Sequence, residues 1–336
     1  MKQFFYISVV FLFVKFDLVA QDVHWSQFDY NPIFQNPANT GQIDGGDYRF
    51  HANYRDQWRS VTIPFQTFSI SADAKSVFHD NLSLGVFVFN DVAGDGQFRT
   101  VELQPSLAWT FKLATDSSHV LRLATQFGIN YRQFNADAFT FDSQWSGTAF
   151  DPSLPTNENF MTQNRTNGTI GFGAAYEWYQ NRRSRLTAGI GFFNLNQPNN
   201  GFFGEDIPRH RRFNFFVQGQ YKVAEKWDFL PSLQLNFQNT YREVLIGGRG
   251  RYILKNSAEE YQAIVVGSYF RTGDAAMIMG GLEWQNWWAG ISYDINFSPL
   301  VPASRARGGI EFSLRYIFKT AQPGNNKIYR ICPDYI

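Results

Sequence analysis

Hydrophobic and polar residues alternate almost without error from Thr100 to Leu113. Val101, Leu103, Pro105, Leu107, Trp109, Phe111 and Leu113 fall on one side. Thr100, Glu102, Gln104, Ser106, Ala108, Thr110 and Lys112 fall on the other. A β-strand points successive side chains to opposite faces, so this segment predicts a strand with one oily and one polar face. The pattern recurs about fourteen times, with large aromatics on the oily side. Repeated in this way it predicts an all-β fold: a transmembrane antiparallel β-barrel of the outer-membrane type, about 14 strands, with lipid outside and water inside.

The first predicted strand sets Tyr48, Phe50, Ala52 and Tyr54 against Arg49, His51, Asn53 and Arg55. The second sets Phe68, Ile70, Ala72 and Ala74 against Thr67, Ser69, Ser71 and Asp73. Further strands are expected to begin near Leu82, Thr100, Leu121, Thr169, Leu186, Phe213, Trp227, Val244, Tyr261, Ala276, Trp287 and Ile310. The barrel then spans 47–318, with a short tail, 319–336, after it. Residues 21–46 show neither period and are rich in Pro and Asn, so they predict an irregular lead on the periplasmic side.

The links also alternate in length. Gln180–Ser184, Ala224–Lys226 and Gln285–Asn286 are short, whereas Asn135–Arg165 and Asn196–Arg211 are long. Barrels of this type have short periplasmic turns and longer external loops, so both termini are expected to be periplasmic. Aromatics gather near strand ends (Trp109 and Phe111, Tyr176 and Trp178, Trp227, Trp284 and Trp287, Tyr316 and Phe318), which suits the headgroup level. The competing reading is the aromatic core of a soluble β-protein. Pro105 and Pro231 lie mid-strand, where each removes a ladder donor, so a bulge is expected at each. Gly171 and Gly173, and Gly247, Gly248 and Gly250, mark bends or places where something approaches the inner wall closely.

Composition narrows the class. The 336 residues carry a net charge of +1, which gives no sign of a nucleic-acid partner. The mean hydropathy of −0.32 is too polar for a bundle of transmembrane helices but suits strands that are half polar. Residues 1–20 differ: Lys2 precedes an apolar run, Phe4 to Val14, too short to span a bilayer. They are expected to be a secretory signal peptide cut near Ala20.

Candidate chemistry is sparse. The inward set mixes Arg49, Arg55, Lys112, Arg122, Arg132, Lys222, Arg249 and Arg315 with Asp73, Glu102, Glu177, Asp228, Glu243, Asp294 and Glu311. Mixed signs favour a network that fills a lumen over a charge-selective pore. Residues 90–96 resemble a calcium loop faintly, but an Asp/Gly hairpin turn explains them better. The five histidines show no metal-ligand spacing, and the single cysteine, Cys332, excludes a disulfide within the chain. No nucleophile elbow is present. No catalytic residue, cofactor or metal is expected. A lipid-modifying barrel enzyme built on His51 is the weakest alternative.

The lead is specific in another way. Gln21-Asp22-Val23-His24-Trp25-Ser26-Gln27-Phe28, then Asn31-Pro32 and Asn36-Pro37-Ala38, closely resemble the start of mature PorP/SprF proteins. Those are membrane proteins of the type IX secretion and gliding systems of Bacteroidetes. Tyr54-Arg55-Asp56-Gln57-Trp58 is similar to the family's Tyr-Arg-x-Gln-Trp block, and Asp91 with Gly94 to its Asp-x-x-Gly turn. Arg271 with Asp274, Tyr293-Asp294, Ser298-Pro299-Leu300 and Cys332-Pro333 resemble its C-terminal blocks. Ile336, in place of an aromatic ending, and Ala72 depart from the pattern. The ordered set spans the mature chain. The resemblance implies an outer-membrane adaptor for secretion or surface attachment of a large surface protein. It implies as partners an adhesin with a C-terminal sorting domain and periplasmic or lipoprotein components of the machinery, with outer-membrane lipid around the wall. A porin-like or hydrophobic-ligand channel remains the alternative. Two roles stay open for the lead: docking the machinery, or plugging and bracing the barrel.

Overall fold

The computed structural model describes residues 22–57, 59, 63–94, 96–158, 162–257, 260–298 and 301–320. The expected signal peptide, Trp58, Pro299, Leu300, Cys332 and Pro333 lie outside the described residues.

Fourteen antiparallel strands close into a barrel, each paired with its neighbours in sequence. They are β1 Tyr48–Gln57, β2 Phe65–Ala74, β3 Leu82–Ala93, β4 Phe98–Lys112, β5 His119–Gln133, β6 Asn164–Asn181 and β7 Ser184–Phe193. The second half is β8 Arg212–Lys222, β9 Trp227–Gln238, β10 Tyr241–Asn256, β11 Tyr261–Arg271, β12 Ala275–Trp284, β13 Trp287–Asn296 and β14 Arg307–Phe318. Every predicted strand is present. β1 pairs with β14, Arg55 opposite Glu311, and this pairing closes the wall. No described helix is long and apolar enough to cross a membrane.

Alternation explains the two faces. Phe50, Phe68, Leu107, Phe127, Ile129 and Leu282 are exposed on the outer face, while their strand neighbours are buried inside. An apolar exterior of this extent is a lipid-facing surface and not the outside of a soluble protein. Trp109, Trp178, Trp227, Trp284 and Trp287 all stand exposed at the rim where β1 begins. Along this rim the connections are short. The opposite rim carries the two long loops, 134–163 and 194–211.

The expected bulges at Pro105 and Pro231 do not occur. Pro231 pairs with Gly248 on one side. On the other, Gln218↔Ser232 and Tyr221↔Phe229 keep one register, so the ladder lapses between them without an extra residue. Gly219 stands opposite Pro231 there, and a Cβ on it would lie 3.1 Å from the proline ring. The missing side chain makes room for the ring, so the strand need not kink. Pro105 behaves alike: Leu103↔Ile129 and Ser106↔Gln126 share a register across the gap. Register shifts fall instead at Tyr179/Asn181, Ile253/Lys255 and Tyr293/Ile295.

The core sits inside the barrel, and the lead builds it. Phe28 and Tyr30 pack with Leu245, Tyr269, Met277 and Trp288. Trp25, Ile33 and Phe34 pack with Phe87 and Phe89. Ala38 joins Ala108, Ala124, Ala175 and Phe216. The lead, expected as an irregular periplasmic-side segment with a plugging or bracing role left open, lies inside the lumen, as that second role has it. With five large apolar side chains among its first residues, the lead gains more by burial in the lumen than by solvation.

Candidate functional site

The lead crosses the lumen from rim to rim. At the long-loop rim the Asp22 amide donates to Gln238 Oε1 at 3.0 Å, and Arg209 Nη2 donates to the Asp22 carboxylate at 2.9 Å. Arg209 also bonds Glu102 on β4 at 2.5 Å, so one guanidinium ties a long loop, the lead and the wall. Midway, Asp29 pairs with Arg249, and Tyr30 stacks on Trp288 with ring centroids 4.3 Å apart. A single helical turn follows, α1 Pro32–Gln35, with proline in its first turn. Pro37 opens a second turn, where the Asn36 side chain accepts from the Ala38 amide at 2.8 Å. These local bonds satisfy backbone groups that no strand pairs. Thr40 Oγ1 then meets Ser106 Oγ at 2.7 Å, and the Gly41 amide donates to Asp73 at 2.7 Å. Asp44 pairs with Arg185 at the short-loop rim, just before β1 begins. The two described ends thus lie at opposite rims.

Burial works against the Asp22 charge, but Arg209 and Arg212 outweigh it and hold the carboxyl below the usual carboxylate range. A depressed acid contributes stability at neutral pH and loses it as the pH falls through the folded value. Acidification is expected to release residues 22–25 from loop 194–211 before the wall changes. Amide hydrogen exchange of the lead across a pH series checks this, with Asp22→Asn already released at neutral pH.

The densest cluster lies where the barrel closes. Arg55 Nη2 meets Asp294 Oδ2 at 2.6 Å and Arg55 Nη1 meets Glu311 Oε2 at 3.0 Å, all three residues fully buried. The lead completes the group. The Ser26 and Gln27 amides donate to the Glu311 carboxylate at 2.7 and 3.0 Å. The Ser26 hydroxyl donates to Asp294 at 2.5 Å and contacts Arg55. Gln27 Nε2 donates to the Glu311 carbonyl at 3.1 Å, and its Oε1 accepts from Ser313, which in turn accepts from Trp288 Nε1. Arg271 extends the network, bonding Asp274 at 2.8 Å and facing Glu243 and Asp294 at 3.4 and 3.7 Å. Buried charges persist only when paired and hydrogen-bonded, and here the lead's amides fill the lone pairs that Arg55 leaves.

Residues 18–316 match the family described as type IX secretion system membrane protein PorP/SprF. The chain belongs to the PorP/SprF family. No curated protein sequence matches it. Among solved structures it is similar to the CymD monoaromatic hydrocarbon channel, with a TM-score of 0.52 at 9% identity over 87% of this chain and 94% of that one. It is equally similar to the Pseudomonas putida toluene transporter TodX, with a TM-score of 0.52 at 9% identity over 84% and 92%. Identity that low shows a shared barrel fold alone.

The residues that carry the PorP/SprF resemblance now have places. Trp25, Gln27, Phe28, Asn31, Pro32, Asn36 and Pro37 are buried in the lumen. Gln27, Arg55, Arg271, Asp274 and Asp294 meet in the closing cluster. Gln57 lies beside Arg55 and accepts from Arg55 Nη2 at 2.6 Å when its amide oxygen faces the guanidinium. Tyr54 and Tyr293 do not join it: Tyr293 is exposed on the outer wall, and the Tyr54 hydroxyl turns to Asp56 at 3.4 Å. Asp91 accepts from Thr67 at 2.6 Å, and Gly94 forms the next turn with φ +65°. Both are apart from the cluster. Sequence reasoning quoted Ser26 within the lead block without singling it out, and it placed Glu311 among the inward charges with nothing to link it to the lead. His51 stands opposite Ser71, both buried, and no hydrogen bond between them is present.

At Gly173 the lead passes close to the wall. A Cβ there would fall 2.2 Å from Asn36 Oδ1 and 2.9 Å from the Ala38 amide. Gly173→Val is expected to displace residues 36–38 and cost about 1–3 kcal/mol. A lower temperature for the heat-induced gel shift of the barrel checks it, with Gly168→Val, 3.9 Å from its nearest neighbour, as the control.

Proposed function

We propose that this barrel is an outer-membrane adaptor of the type IX machinery that holds an exported surface protein, and that it acts by binding and not by catalysis. One observation carries the reading: the lumen is occupied from rim to rim by the lead, and Gln27, Arg55 and Asp294 of the resembling set take part in pinning it there. The crevice between the lead and β8–β10 has about 20 Å³ of free space, room for one water. A wall so filled offers its rims, not its interior, to partners. The long-loop rim faces outward in this reading, as in barrels with short periplasmic turns. The short-loop rim, where the C-terminal tail begins, then meets the periplasmic components.

The channel alternative draws on the names of CymD and TodX, which describe what those proteins pass. The test is a strain lacking the gene, restored with the full chain. The adaptor reading expects a set of exported proteins to leave the cell surface in the deletion and return on restoration. The purified full chain should be silent in a planar bilayer. An unchanged surface set together with steady conductance would replace the adaptor with a channel.

A further inference from the structure

The two long loops form one platform. Phe134 of loop 134–163 packs edge-on to Phe202 of loop 194–211, with centroids 5.0 Å apart, and Phe98 of β4 meets Phe202 at 5.9 Å. The Arg132 guanidinium lies 4.6 Å over the Phe98 ring and 5.8 Å from that of Phe202. Arg165 Nη1 donates to the Gly201 carbonyl at 2.6 Å, and the Asn135 amide to the Gly96 carbonyl at 2.9 Å. Further out, loop 134–163 folds on itself. The Asp151 amide donates to the Gln144 carbonyl at 2.9 Å, and Ser143 Oγ to the Thr156 carbonyl at 2.5 Å. Trp145 and Phe150 form an isolated antiparallel bridge. Directly opposed residues share a face, so the two rings stand side by side. They are 58% and 44% exposed, a large apolar surface held in place yet uncovered.

Charge narrows what could cover it. Segment 134–163 contains Asp137, Asp142, Asp151 and Glu158 and no Lys or Arg. Loop 194–211 adds Glu205 and Asp206 against two arginines: Arg209, engaged by Asp22 and Glu102, and Arg211, which donates to the Leu195 carbonyl at 3.1 Å. An acidic surface of this kind repels lipid phosphates, so the aromatics are poorly placed as lipid anchors. It attracts cations, and exposed aromatics give arginine and lysine a ring face to rest on.

We infer that this platform, centred on Trp145 and Phe150, is the docking face for a basic protein surface, that of the exported client. The inference rests on the adaptor reading and adds where the client binds and what charge it presents. Hot spots of protein interfaces are enriched in aromatic anchors, and complementary charge around them steers and selects the partner.

The test uses the deletion strain restored with the full chain, with Trp145→Ala/Phe150→Ala, or with Asp137→Lys/Asp142→Lys. Barrel amount and heat-induced gel shift are matched, and the surface proteins that return with the wild-type chain are counted. The expected result is at least a tenfold loss of those proteins in both variants, and their release from wild-type cells by about 1 M salt, where the screening length falls to ~3 Å. If both variants restore the full surface set, the docking face is wrong and the adaptor reading stands. If the deletion itself leaves that set unchanged, the adaptor reading fails and this inference with it. Loss of lipopolysaccharide from the purified variants, with the surface proteins retained, would make the platform a lipid contact and overturn the proposal.

Discussion

Arg55→Ala is expected to cost the barrel about 3–5 kcal/mol, the usual penalty for stranding buried partners of opposite charge. Removing the guanidinium leaves Asp294 and Glu311, both fully buried, held by the Ser26 hydroxyl, the Ser26 and Gln27 amides and the more distant Arg271. Because Arg55 and Glu311 are directly paired between β1 and β14, the damage falls on the closing seam. The temperature of the heat-induced gel shift should drop sharply. Lys255→Ala is the comparison: its pair with Glu260 is solvent-exposed and contributes about 1 kcal/mol or less. Equal shifts for the two variants would mean that the seam cluster does not hold the wall together.

Deleting residues 22–39 is expected to open the barrel. The fourteen-strand ladder uses no hydrogen bond from this segment, so the wall still closes. It loses the burial of Trp25, Phe28, Tyr30, Ile33 and Phe34, at most about 8–15 kcal/mol when each large side chain contributes about 1.5–3 kcal/mol. It also leaves Arg249 and Glu311 without their lead partners. The shortened barrel should therefore conduct ions where the full chain does not, melt earlier, and fail to restore surface display. A shortened chain that stays silent in the bilayer would show that the lead is not what fills the lumen.

The wall was legible in the sequence because its cause is local. Period-two alternation depends on neighbouring residues only, so Thr100 to Leu113 reveals its own two faces and nearly all of β4. The girdle at Trp109, Trp227 and Trp287 was legible for the same reason. The lead was not. Residues 22–46 show neither period because they bury by threading through a closed lumen, where every direction is inward. The decisive contacts are remote: Gln27 and Glu311 are 284 residues apart in sequence. Resemblance marked Gln27, Arg55 and Asp294 as a set but carried no information that they touch. The proline expectation failed on a residue of the neighbouring strand, since the relief at Pro231 comes from Gly219 directly across the ladder. The contact of Ser26 with Glu311 was missed because a charge on an inward strand position and a serine in an irregular lead are unremarkable until the fold joins them.

The central claim is that the lead is a fixed part of the adaptor and does not move to open a path. Thr40 and Ser106 allow it to be tested directly, because their hydroxyl oxygens lie 2.7 Å apart between lead and wall. Cysteines at both positions, in a Cys332→Ser background, are within reach of a disulfide. The measurement is surface display of the dependent exported proteins in cells whose barrel is fully cross-linked. Display at the wild-type level with the lead locked is the predicted result. Display lost on cross-linking and regained on reduction would contradict the account and make the lead a gate.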